Sequence, residues 1–109
     1  MSNKEVKREV FTLAWQFIKR NGFNLSQALK TAWQNLKLKI AMQTKIVKFY
    51  FQKIDGSLRE AYGTLYDRLI PEIAGIDNRK RNETVFVYYD TEKQEFRCFK
   101  KANLINVVV

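Results

Sequence analysis

Apolar positions recur at two different periods along the 109-residue chain, and the change falls near residue 45. In the first part, Val6, Val10, Leu13, Ala14, Phe17 and Ile18 are spaced by threes and fours, which lays one apolar stripe along a helix. Ser2 and Glu5 fit a capping box at its start. Lys19 and Arg20 suit its negative end, and Gly22 suits the left-handed residue that follows a helix. Asn24 opens a second helix with Gln27 three residues on, and Leu25, Leu29, Ala32, Trp33, Leu36 and Ile40 form its stripe. So short a connection predicts an antiparallel helical hairpin over residues 1–44. Trp33 is expected in its core, and Trp15 at the contact with the barrel in preference to a subunit interface.

Beyond residue 45 the period drops to two. Val47, Phe49 and Phe51 alternate with Lys48, Tyr50 and Gln52, and Asp55-Gly56 marks a tight turn. On the returning strand Leu58, Glu60, Tyr62 and Thr64 share one face, and Arg59, Ala61, Gly63 and Leu65 the other. From Tyr66 to Glu83 the alternation breaks; Pro71 and Gly75 punctuate this stretch, which holds the run Arg79-Lys80-Arg81. Strands resume at Thr84–Tyr89, then at Glu95–Lys100 after a turn, and at Leu104–Val109. Five short strands in residues 45–109 predict a small closed or half-closed β-barrel, since closure removes sticky edges. No Pro/Gly/Ser-rich linker separates the halves, so the fold class is α+β in one compact unit.

Composition narrows the chemistry. There is no histidine and a single cysteine, so triads that use His, imidazole metal ligands, internal disulfides and Cys-type zinc sites are all excluded. No carboxylate pair has acid–base spacing and no Gly-rich phosphate loop occurs, so no enzyme activity, metal or cofactor is expected. The apolar runs are too short to span a membrane and the first residues lack the apolar core of a secretory signal, so the expected location is cytoplasmic. The 20 Lys/Arg against 11 Asp/Glu give a net charge of +9, which makes an acidic partner the first question. The hairpin holds eight of those cations against two glutamates, with Lys30 and Lys37 on one face of the second helix.

The C-terminal half also has a family look. Val87-Tyr88-Tyr89-Asp90, a polar turn, then Phe96-Arg97-Cys98-Phe99-Lys100 and Leu104-Ile105 resemble the end of a WYL-type domain, with its Trp-Tyr-Leu strand and its Arg-x-Phe-Arg-x-x-Arg-Ile strand. Tyr88, Arg97, Phe99, Lys100 and Leu104 fall on the matching positions. Val87, Tyr89 and Asn103 stand where the pattern has Trp, Leu and a third Arg. With Lys53–Leu65 the stretch is similar to the WYL-like (WYL_2) family of small bacterial and phage proteins, over roughly residues 45–107. The resemblance implies an Sm-like SH3 β-barrel. It also implies ligand sensing, with nucleic acid or nucleotide-like ligands on Arg/Tyr-lined strands.

The candidate site residues are therefore Arg59, Tyr88, Arg97 and Lys100 on the barrel and Arg79, Lys80 and Arg81 on the loop. Cations would neutralise phosphates while an exposed Tyr or Phe stacks on a base. Arg97 and Lys100 are three apart on one strand, so only one of them can share a surface with Tyr88. Phe99 shares the Arg97 face and is as well suited to the core, whereas Cys98 shares the Phe96 face and is expected buried. The expected function is a non-enzymatic module that binds nucleic acid or a nucleotide-like anion. The alternative is a protein-interaction or self-assembling module, such as an accessory protein that blocks a host nucleic-acid machine, with the apolar Ile105–Val109 tail available for strand pairing.

Overall fold

In a computed structural model, residues 3–71 and 83–108 are described. Ser2, Gly75, the Arg79–Arg81 run and Val109 lie outside the described residues. The first helix, α1, runs Asn3–Asn21, with Glu5 in its first turn and Lys19 and Arg20 in its last. It stops at Gly22, whose φ of +70° is open to glycine at little strain. Phe23 then turns its N–H back to the Phe17 carbonyl (3.3 Å) and its ring onto Phe17 (5.5 Å). Asn24 caps the second helix, α2 (Leu25–Met42): its Oδ1 accepts from the Gln27 N–H at 2.8 Å. The hairpin and both cap positions follow the sequence pattern.

One expectation about the hairpin fails. Trp33 is half exposed, at 52%, and Trp15 at 58%; Leu25 and Ile40 are exposed as well. The reason is that α2 has two neighbours. Ala28, Ala32 and Leu36 pack with α1, while Leu38 and Met42 join the sheet's core cluster. The buried arc of α2 thus turns away from Trp33. The small Ala14, Ala28 and Ala32, all essentially inaccessible, let the two helices approach closely.

Five strands follow: β1 (Val47–Gln52), β2 (Leu58–Thr64), β3 (Val85–Asp90), β4 (Glu95–Lys100) and β5 (Leu104–Val108). They form one antiparallel sheet in the order β4-β3-β2-β1-β5. β1 and β2 pair from Val47↔Gly63 to Gln52↔Leu58 around the Asp55-Gly56 turn, where Asp55 Oδ1 accepts from the Ser57 N–H (2.9 Å) and Oγ (2.6 Å). β5 returns to pair with β1, so the apolar tail is already engaged on one side. β2 and β3 share only two register pairs, Gly63↔Asp90 and Thr64↔Tyr89. Across this narrow join the sheet curls strongly. Two strands separate β4 from β1 in the order, yet the Phe99 ring stacks on Phe51 at 5.0 Å and meets Phe49 at 5.4 Å. Full closure is not reached: among the described residues no ladder joins β4 to β5. The expected barrel is a curled sheet with an open seam.

The inner face follows the register. Val47, Phe49 and Phe51 lie opposite Gly63, Ala61 and Arg59, and Phe86 and Tyr88 lie opposite Phe99 and Arg97. Two contacts hang this sheet on the helices. Thr64, fully buried, sets its hydroxyl within reach of the Met42 (3.2 Å) and Lys45 (3.0 Å) carbonyls and accepts from the Tyr66 N–H. Asn35, buried in α2, donates to the Lys101 carbonyl at 2.9 Å, in the 3-10 turn Lys101–Asn103 between β4 and β5.

Gly63 sits under the Tyr88 ring. A Cβ built there would stand 2.4 Å from Tyr88 Cδ2 and 3.1 Å from Met42 Cε. Gly63→Ala should therefore destabilise the fold by about 2 kcal/mol, in the range of an overpacked core. Urea unfolding measures it, and an unchanged midpoint would show that the ring is not seated there.

Candidate functional site: a groove at the open seam

The concave side of the curled sheet ends in a groove of about 560 Å³. The end of β1 and its turn (Phe51–Asp55) form one wall, and Val85 with Arg97–Lys100 of β4 form the other. Arg59, Tyr88 and Asn103 complete the lining. No residue of α1 or α2 contributes, so the helical hairpin leaves this face open. All four barrel residues singled out by sequence, Arg59, Tyr88, Arg97 and Lys100, line the one groove. Arg79, Lys80 and Arg81 fall outside the described residues.

Each of the four plays a different part. Arg59 comes from β2 opposite Phe51 and so faces inward. Its Nη2 donates to Asp90 Oδ2 at 3.0 Å, and Asp90 is 1% exposed. Asp90 Oδ1 accepts the N–H groups of Glu92 (3.0 Å) and Lys93 (2.9 Å), which shapes the β3–β4 turn. Arg59 Nε, by contrast, is buried with no partner.

Tyr88 corrects an expectation. Its ring is wholly buried, edge-on to Phe49 at 5.1 Å, so it offers no exposed plane for a base. Its hydroxyl is what remains for chemistry, and this too is buried without a partner. Burial pushes the phenol up to about 12, the Asp90 charge adds to the rise, and Arg59 and Arg97 pull against it. At neutral pH the group is an uncharged hydroxyl able to donate or accept.

Arg97 stands directly across from Tyr88 in the β3–β4 ladder, on the same face. Its side chain is 37% exposed and its Nε donates to Glu95 Oε1 at 2.8 Å, a surface pair of small net worth that a ligand can displace. Lys100 is paired with Val85, on the opposite face of β4 from Arg97, as the spacing requires. It meets the groove at the sheet's edge. Cys98, on that same outer face, is exposed rather than buried: β4 is an edge strand, and among the described residues none covers it there.

The sequence reading missed Asp90 as the anchor of Arg59. The signal was its place as the last residue of a strand before a polar turn, where carboxylates bond backbone N–H groups. It also missed Phe51 and Asn103. Phe51 could have been found from the register across the Asp55-Gly56 turn. Asn103, whose Nδ2 bonds the Gln52 carbonyl at 3.1 Å, carried no local signal.

Chemically the groove is amphipathic. Phe51, Ile54, Val85 and Phe99 give it apolar walls, and Lys53, Arg59, Arg97 and Lys100 give it cations; among the described residues Asp55 is its one carboxylate, already bonded to Ser57. Among the described residues no His, Cys, Asp and Glu group is placed to hold a metal, and no helix is long and apolar enough to cross a membrane.

Helical hairpin, four-stranded meander and a fifth strand returned to the first define a small α+β domain whose sheet is of the SH3 type. Residues 35–105 match the model of the WYL_2 family, described as an Sm-like SH3 β-barrel fold. That match covers about two thirds of the chain, and the protein belongs to this family. The match opens at Asn35, inside α2, and so takes in the part of the helix that packs on the sheet. No curated protein and no solved structure matches the chain.

The Tyr88 shift has a measurable consequence. The folded state holds this proton above the ordinary value of 10.0, so folding binds a proton that the unfolded chain releases. Stability from this group is fully present below pH 10 and is lost as pH rises from about 10 to about 12. Tyr88→Phe should remove that component of an alkaline unfolding curve; an identical curve for the variant would place the Tyr88 hydroxyl in water.

Proposed function

We propose that the domain is a non-enzymatic binding module whose groove takes a nucleotide-like anion, either free or as part of a single-stranded nucleic acid. One observation carries the reading: two buried polar groups of the groove lining, Tyr88 Oη and Arg59 Nε, lack partners, and the lining also holds the part-exposed guanidinium of Arg97, paired with Glu95. Buried polar groups in folded proteins are nearly always bonded, so an unbonded pair in a groove wall is suited to an acceptor brought by a ligand. A phosphate or carboxylate accepts from all three. The apolar walls suit a flat ring, and the volume of the groove is within the range of small-molecule sites. The net charge of +9 favours approach of such an anion. In this reading the protein acts in the cytoplasm of a bacterium, or there on behalf of a phage.

Calorimetric titration tests it, with nucleoside mono-, di- and triphosphates, then short single- and double-stranded DNA and RNA, at low and moderate salt. Binding that weakens with salt is expected. Arg97→Ala should weaken it about tenfold, the loss of a charge-assisted bond. Tyr88→Phe should weaken it about fivefold while leaving the neutral-pH unfolding midpoint unchanged or higher, because it removes an unsatisfied buried group. No binding at low salt, or equal affinity for Tyr88→Phe and the parent, would sink the proposal.

A further inference from the structure

The hairpin carries a second surface, distinct from the groove. Phe11 (53% exposed), Trp15 (58%), Trp33 (52%) and Ile40 (43%) are large apolar side chains left in solvent. Helix geometry puts them on one side. Each residue advances about 100° around a helix. On α2, Leu38 and Met42 mark the side that meets the sheet, and Trp33 and Ile40 lie across the Ala28–Ala32–Leu36 stripe from them. On α1, Glu9 pairs with Lys39 (3.8 Å) and Arg20 with Glu83 beside β3 (2.9 Å), which marks that helix's sheet side. Phe11 and Trp15 lie on the other flank of its Val10–Ala14–Phe17 stripe. The four therefore lie on one outer flank of the hairpin, turned away from the sheet.

Charge says what fits there. Lys4 and Lys7 stand among the apolar residues of this flank on α1 with Arg8 at its outer rim, and Lys30 and Lys37 rim it on α2, all exposed. The hairpin's two carboxylates are elsewhere: Glu9 faces the sheet side and Glu5 the back of α1. We infer that this face docks an acidic amphipathic helix of another protein, as the third helix of a bundle. Its apolar strip would cover Phe11, Trp15, Trp33 and Ile40, and carboxylates on both its flanks would meet the two basic rims. A second copy of this chain fits poorly, since it would set basic rim against basic rim with no carboxylate between them. A nucleic-acid backbone would match the rims and leave the aliphatic and aromatic centre unserved.

The chain's two tryptophans are both in this face, so their emission reports on it directly. The probe is a synthetic helix with apolar residues at i, i+3, i+4 and i+7 and Glu on both flanks. Its controls are the same peptide with Lys for Glu, a single-stranded oligonucleotide, anionic phospholipid vesicles, and the protein alone at rising concentration. The Glu peptide should shift the emission to shorter wavelength and bind at least about tenfold more tightly than the Lys peptide, since rim charges set partner choice. The double variant Lys7→Glu/Lys37→Glu, with its circular dichroism unchanged, should reverse that preference. No shift with the Glu peptide, or a shift produced instead by oligonucleotide, vesicles or protein concentration, would overturn the inference. None of these residues lines the sheet groove, so binding of nucleotides there does not bear on this result.

Discussion

The part-buried pair between Arg59 and Asp90 holds the two halves of the sheet in their relation. β2 and β3 meet over two register pairs only, at the point where the sheet curls. A join so short supplies little ladder bonding, and the Asp90 carboxylate makes up the difference. One oxygen fixes the β3–β4 turn and the other takes the Arg59 guanidinium from the neighbouring strand. Burying such a pair is expensive unless its bonds are satisfied, and loss of either partner strands a charge inside. The angle between β1–β2 and β3–β4, and with it the width of the groove, depends on this corner.

From that corner the rest follows by packing. The curl brings Phe99 onto Phe49 and Phe51 and closes an aromatic core without closing the barrel. Tyr88 can lie at its centre because Gly63 has no Cβ to collide with the ring. The groove lies where the end of β1 and its turn face β4 across the unclosed sheet. The helices attach elsewhere, through Thr64, Asn35 and the Leu38–Met42 side of α2, and so support the sheet without covering the site. The protein thus presents two unlike surfaces: a small amphipathic groove on the sheet, and a broad aromatic face with basic rims on the hairpin.

Element order was legible because it depends on local rules, whereas the candidate groove residues were singled out by the family resemblance and by charge. Helix caps, the Asp55-Gly56 turn and strand alternation are written in neighbouring residues, and alternation alone put Arg97 and Lys100 on opposite faces. Which surfaces end up covered was not legible. Trp33 reads as core on any one-stripe helix, and only the sheet's position on the Leu38–Met42 side of α2 leaves it exposed. Cys98 reads as buried until β4 is known to be an edge. Tyr88 lines the groove together with the other barrel candidates, but its ring is core and offers no plane for stacking. The Arg59–Asp90 contact joins residues on neighbouring strands whose short overlap no period in the sequence encodes.

Of all measurements, the resonances of the arginine side chains test the central claim most directly. In the free protein Arg59 Nε–H is buried and unbonded, and Arg97 Nε–H is tied to Glu95. In a titration of 15N-labelled protein with a nucleoside monophosphate, both Nε–H signals should move together and saturate with one ligand, with backbone shifts confined to the Phe51–Arg59 and Arg97–Lys100 segments. If the nucleotide moves only signals of the helical hairpin or of the Arg79–Arg81 run, the groove is not the binding site and the account given for Tyr88 and Arg59 is wrong.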